Sequence, residues 1–248
     1  MKIDFVSDVS CPWCAIGLNA LEQALARVAP DIQATVHFQP FELNPQMATD
    51  GQEIVEHLGQ KYGINAQQIA ANTEAIRQRG ASVGFTFGIG KRSRVYNTFD
   101  AHRLLHWAGL QSDAAQRDLK HALLKAYFTD GQNPSDPDVL LGATTAAGLD
   151  TEAARSVLAG DGFAAEVRQA ALAISMPMHP SRWNIRSTAL RWRPSGSCTC
   201  STLIWPRMNI WSVATIALPT LQSGRGTEQS CATLTTAKNF CQFMNISI

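Results

Sequence analysis

Lys2-Ile3-Asp4-Phe5-Val6-Ser7-Asp8-Val9-Ser10-Cys11-Pro12-Trp13-Cys14-Ala15-Ile16 joins an apolar run to a helical pattern through a C-x-x-C. A strand that ends in two such cysteines at the mouth of a helix is the sequence form of a dithiol site. The first helical turn offers unpaired N–H groups and a partial positive charge to the first sulfur, which favours a thiolate at Cys11. Cys14, one turn on, lies close enough to attack a mixed disulfide formed at Cys11, so the pair opens and closes with little backbone movement. Pro12 suits the first turn, where its missing N–H breaks no helical bond, and Trp13 can shield one side of the sulfurs. Two other uses of the motif fit less well. A zinc site needs two more ligands, and the next cysteines, Cys198 and Cys200, stand far along the chain with one residue between them. A structural disulfide across so short a loop gains little from closure.

Working outward, residues 2–7 read as a buried strand. A helix is expected over 11–28, with Ile16, Leu18, Leu21, Leu25 and Val28 as its apolar positions and Pro30 as its stop. Residues 35–41 are rich in β-formers and give a second strand. Two strands bracketing a helix form a β-α-β unit, which crosses over right-handed and leaves the strands parallel. Phe41-Glu42-Leu43-Asn44-Pro45 then leaves the strand in a turn. From 51 to 172 the pattern is helical, with segments expected over 52–62, 66–83, 97–107, 112–128, 137–147, 151–159 and 163–174, separated by glycine-containing breaks. The chain thus divides into a β-α-β start with the C-x-x-C (1–50), a helical insertion (51–172), a short loop (173–179) and a tail of different composition (180–248). Two patterns in the insertion are discounted. Gly88-Ile89-Gly90-Lys91 lacks the first glycine of a phosphate loop, since position 85 is Phe, and His102 and His106 share the spacing of two metal ligands but have Arg103 where a metalloprotease carries its Glu.

With 248 residues, 45% of them hydrophobic and 17% charged, the chain can bury a sizeable core and reads as a soluble globular protein. No run is apolar for long enough to span a membrane, and Met1-Lys2-Ile3-Asp4 has no signal-peptide character, so a cytoplasmic location is expected. In a reducing compartment a C-x-x-C is catalytic rather than structural. The net charge of +1 conceals an asymmetry, because the only acid after residue 176 is Glu228.

These features together resemble the DsbA-like thioredoxin-fold oxidoreductases. The match is to the FrnE-type branch, related to 2-hydroxychromene-2-carboxylate isomerases and kappa-class glutathione transferases. It rests on Asp8-Val9-Ser10-Cys11-Pro12-Trp13-Cys14-Ala15-Ile16-Gly17, Pro40-Phe41-Glu42-Leu43-Asn44-Pro45 and Asn97-Thr98-Phe99-Asp100-Ala101-His102-Arg103-Leu104. The resemblance implies an α/β thioredoxin-like fold with a large helical insertion. It also implies Cys11 as nucleophile and Cys14 as resolving thiol, exchanging disulfides with protein thiols or small dithiols. Glutathione is a candidate co-substrate, and no metal, nucleotide, flavin, nucleic acid or membrane partner is implied. The isomerase and transferase relatives carry Ser at the position of Cys11, which counts against a glutathione-dependent isomerase or transferase as the runner-up. A third reading is a binding or chaperone-like module whose redox pair is idle.

Proteins of this fold continue with a cis-proline loop beside the C-x-x-C. Here Ile174-Ser175-Met176-Pro177-Met178 fits, with Pro177 as the proline and the Met176 backbone, together with Pro12 and Trp13, as the substrate-binding edge. Beyond His179 the expected strands and closing helix are missing or scrambled. Crowding of Ser, Thr, Arg and Trp with almost no acids reads as out-of-frame coding sequence. Ser187-Thr188-Ala189-Leu190-Arg191 can be encoded so that a neighbouring frame gives Asn-Gly-Ala-Gln, the turn expected there. A genuine divergent tail is the alternative; its scattered arginines form no nucleic-acid motif.

Overall fold

A computed structural model describes residues 2–175. The expected cis-proline loop around Met176 and Pro177, and the tail from 180, lie outside the described residues.

β1 (Lys2–Ser7) and β2 (Thr35–Pro40) pair in parallel, Lys2 opposite Thr35 and Ser7 opposite Pro40. Parallel strands need a crossover, and α1 (Pro12–Val28) supplies it. The register places Phe5 opposite Phe38, where their rings meet edge to face at 5.8 Å. α1 buries Ala15, Ile16 and Leu18. Cys11 is its N-cap rather than its first helical residue, with extended backbone angles, and Pro12 begins the helix.

The region expected to be wholly helical contains α2 (Ile54–Tyr62), α3 (Ala66–Ser82), α4 (Phe99–Gln111), α5 (Asp113–Leu124), α6 (Pro137–Ala146), α7 (Thr151–Ala159) and α8 (Ala164–Ser175). Two departures stand out. β3 (Gln52–Glu53) pairs antiparallel with β4 (Arg94–Val95), so α2 starts two residues later than the pattern suggests, with the Glu53 side chain accepting from Glu56 N at 2.7 Å. α5 ends at Leu124 and continues as a wider π-helical turn over Lys125–Thr129, which packs Tyr127 and Phe128 inward.

The insertion is built into the core of the β-α-β unit. One cluster joins Ala15, Ile16 and Leu18 of α1 and Phe38 of β2 to Val83, Phe85, Leu124, Tyr127 and Phe128. A second, around Leu104, Leu119, Leu123 and Leu140, takes in Val9 from the segment leading to the cysteines. The Gly88 region has a packing role, since a Cβ on Gly88 would sit 2.1 Å from the Thr129 carbonyl oxygen. α5 is docked by Gln116, whose side-chain amide accepts from Phe38 N at 3.0 Å and donates to the carbonyls of Phe38 and Leu105 at 3.2 and 3.1 Å. One side chain thereby satisfies both polar groups of a β2 residue on the side away from β1.

Candidate active site

The two cysteines come together where β1 hands over to α1. Cys11 N donates to Asp8 O at 3.4 Å, and Cys14 N and Ala15 N donate to Cys11 O at 3.1 and 3.3 Å, which winds the C-x-x-C into one tight turn. Both thiols are free, with Cys11 buried and Cys14 partly exposed. Pro12 and Trp13 are half-buried between them, and Trp13 packs onto the first of the two cores. Of the residues expected at the site, these four are brought together; Met176 and Pro177 lie outside the described residues.

Asp8 is 1% exposed and organises the floor of the site. Its Oδ1 accepts from Ser10 N at 3.1 Å and its Oδ2 from Leu43 N at 2.7 Å, so one carboxylate ties the turn before Cys11 to the Phe41–Pro45 exit of β2. His102 Nε2 stands 3.6 Å from Oδ1. Burial pushes the Asp8 carboxyl up, but His102 and the two N–H donors outweigh it and hold the group down at about 2.

The sulfurs behave as a pair. The hydrogen bond to Cys14, then burial, raises the Cys11 thiol well above a free cysteine. The same hydrogen bond lowers Cys14, against its own burial and with help from the positive charge of Lys120. Sequence reasoning expects the thiolate at Cys11. The helix-start N–H of Cys14 does act in that direction, but the hydrogen bond between the sulfurs and burial outweigh it, so that Cys14 is the more acidic thiol of the pair.

Three further titratable groups interact with the sulfurs or with Asp8. Lys120, from α5, is fully buried. Tyr62, at the end of α2, has its phenol raised by burial and then by its electrostatic interaction with Cys11. Glu42 lies half-buried in an open cleft with Thr49, Asn97, Phe99, Asp100 and Arg168. Burial, then repulsion from Asp8, raises its carboxyl to about 7 against the attraction of Arg168. Sequence reasoning assigned no role to Asp8, Lys120 or Glu42. Lys120 had a legible signal: Gln116, Leu119, Lys120 and Leu123 fall at i, i+3, i+4 and i+7, the inner face of α5. Of the two histidines four residues apart, His102 faces Asp8, whereas His106 rests against the Phe163 ring at 5.4 Å. Among the described residues no group of three or more His, Cys, Asp and Glu side chains is placed to hold a metal ion, and no helix is long and apolar enough to cross a membrane.

The model of the DSBA-like thioredoxin domain matches residues 2–176. A probable DsbA oxidoreductase from Streptomyces coelicolor is similar in structure at 32% sequence identity and a TM-score of 0.65, over 73% of this chain and 78% of that one. A 2-hydroxychromene-2-carboxylate isomerase shares the fold at 15% identity and a TM-score of 0.51, over 70% of this chain and 78% of that one. No curated protein matches the chain.

Proposed function

The chain belongs to the DsbA-like thioredoxin-domain oxidoreductases, and from that premise we propose that Cys11 and Cys14 carry its thiol–disulfide exchange. The observation that carries this reading is the pair itself: two free thiols at a helix start, hydrogen-bonded to each other and displaced in opposite directions. Cys14, the more acidic thiol, ionises first and takes the Cys11 proton as Cys11 Sγ attacks a partner disulfide. One S–S bond forms between Cys11 and the partner, the partner's own S–S bond breaks, and its leaving sulfur picks up a proton from solvent. Cys14 then gives up its proton, attacks Cys11 Sγ and expels the second partner thiol. The partner gains two electrons and two protons, and the Cys11–Cys14 disulfide holds the oxidised state. The reverse sequence oxidises a partner dithiol.

Protein disulfides and small thiols such as glutathione are the proposed partners, with Pro12, Trp13, Met176 and Pro177 as the surface they meet, in the cytoplasm. The segment 180–248 is proposed to be out-of-frame sequence. The test is substrate trapping. A Cys14→Ala variant incubated with a scrambled disulfide protein should accumulate a mixed disulfide at Cys11, and a Cys11→Ala, Cys14→Ala variant should accumulate none at either position. No adduct with the single variant, and no loss of exchange with the double one, would overturn the reading.

A further inference from the structure

Lys120 is a charged residue that the fold encloses completely. Its side chain is 0% exposed and its Nζ makes no hydrogen bond among the described residues. An ammonium in such a place costs several kcal/mol unless an opposite charge answers it. The fold brings it there deliberately. Gln116, one turn earlier on α5, clamps both polar groups of Phe38, and this fixes the next turn beneath the end of the sheet. Lys120 Nζ then lies 6.0 Å from the Phe38 ring centroid, in a cavity of about 100 Å³ that it shares with Ser7, His102 and His106. Ser7 is followed directly by Asp8 and the redox turn.

The charged and titratable groups that face Lys120 are Asp8, Cys11 and Cys14, with His102 and His106 lining the same cavity. Asp8 makes no hydrogen bond to it; its oxygens accept from Ser10 N and Leu43 N, with His102 beside Oδ1. The histidines carry no negative charge. That leaves the sulfurs.

We infer that Lys120 is the counter-ion of the dithiol, a positioning residue that the helical insertion contributes to hold the negative charge of the reduced pair. It touches no substrate and acts through Cys14. The inference rests on the exchange reading above and goes further, because it makes the redox equilibrium a property of α5. In the disulfide form the sulfur charge is gone and Lys120 keeps only the charge of Asp8. In the reduced form the anion returns. Reduction and protonation of Lys120 therefore favour each other, and the coupling is reciprocal.

Two measurements test this. In the first, wild type and Lys120→Met are equilibrated with reduced and oxidised glutathione at neutral pH. In that equilibrium two glutathione thiols reduce the Cys11–Cys14 disulfide and become one glutathione disulfide. The variant's disulfide should be at least tenfold harder to reduce, a shift of about 30 mV to more negative potential. Its lower thiol, followed by thiolate absorbance, should titrate at least tenfold later in proton concentration. An unmoved equilibrium and unmoved titration in a folded variant overturn the inference while leaving the exchange reading intact. Absence of any Cys11–Cys14 disulfide in the wild type overturns the exchange reading instead. The second measurement needs no variant and holds even where Lys120→Met does not fold. The Lys120 side-chain nitrogen of the wild type is titrated by NMR in both redox states. A lower titration in the oxidised form is the expected result. Identical titrations would mean that the ammonium is solvated within its cavity, and the inference fails.

Discussion

Asp8→Asn removes one charge and changes almost no volume, so its consequences can be worked from the geometry. The carboxyl is held at about 2, against 3.8 for an ordinary aspartate. At about 1.4 kcal/mol for each tenfold change in proton affinity, that gap represents about 2–3 kcal/mol of native stability. The sign follows from the depressed value. The contribution is fully present above pH 3.8 and is lost as the pH falls through about 2. Urea unfolding should therefore show the variant about 2–3 kcal/mol less stable than wild type at neutral pH, with the two curves converging as the medium approaches about pH 2. The same substitution acts on the sulfurs in the other direction. Asp8 opposes an anion at both Cys11 and Cys14, so the thiols of the variant should titrate lower than those of wild type. Loosened packing would also make the thiols more acidic, since burial raises both, but its stability deficit would not vanish as the pH falls towards about 2. A variant as stable as wild type at neutral pH, or a deficit that stays constant down to about pH 2, would refute the reasoning.

Glu42→Gln should stabilise the protein above neutrality. The carboxyl binds its proton more tightly when folded, so stability falls as the pH rises from 4.5 through about 7. Discounted for half-exposure, the gain should be about 1–2 kcal/mol in alkaline solution and should vanish near pH 4.5, read from melting temperatures across pH. Arg103→Lys should cost about 3 kcal/mol in urea unfolding while leaving the thiol titration unchanged. The buried guanidinium donates to the carbonyls of Val157, Gly160 and Gly162 and pairs with Asp100, and an ammonium cannot reach all four.

The parts of the fold that repeat a period are legible in the chain. The bounds of β1, those of α1 and β2 to within one residue, and the existence of seven later helices follow from spacing and from Pro and Gly breaks, because burying one face of a long element leaves a regular trace. The β3–β4 pairing leaves none, since two residues carry no period. Gln52 and Glu53 look like a helix start until Arg94 and Val95 come alongside. The π-helical turn is hidden for a related reason. The pattern of Lys125–Thr129 continues that of α5, and what widens the turn is the tertiary demand to bury both Tyr127 and Phe128.

At the site, the residue types and spacing identify the cysteines, but the position of their shared proton depends on groups that approach from elsewhere. Asp8 reaches Leu43, which lies 35 residues on, and Lys120 arrives from α5. A helix start acting alone favours a thiolate at Cys11. In the fold it competes with the hydrogen bond between the two sulfurs and with burial, and a buried cation adds to the acidity of Cys14.

The central claim is that Cys11 and Cys14 form a reversible two-electron couple. Its most direct test is equilibration of the full chain over a series of glutathione redox buffers, followed by acid quenching, alkylation and peptide mapping, so that Cys11 and Cys14 are followed apart from Cys198, Cys200, Cys231 and Cys241. One cooperative transition is expected, in which both thiols disappear together and an intramolecular Cys11–Cys14 disulfide takes their place. Thiols that persist across the series, or that end as two separate glutathione adducts, would contradict it.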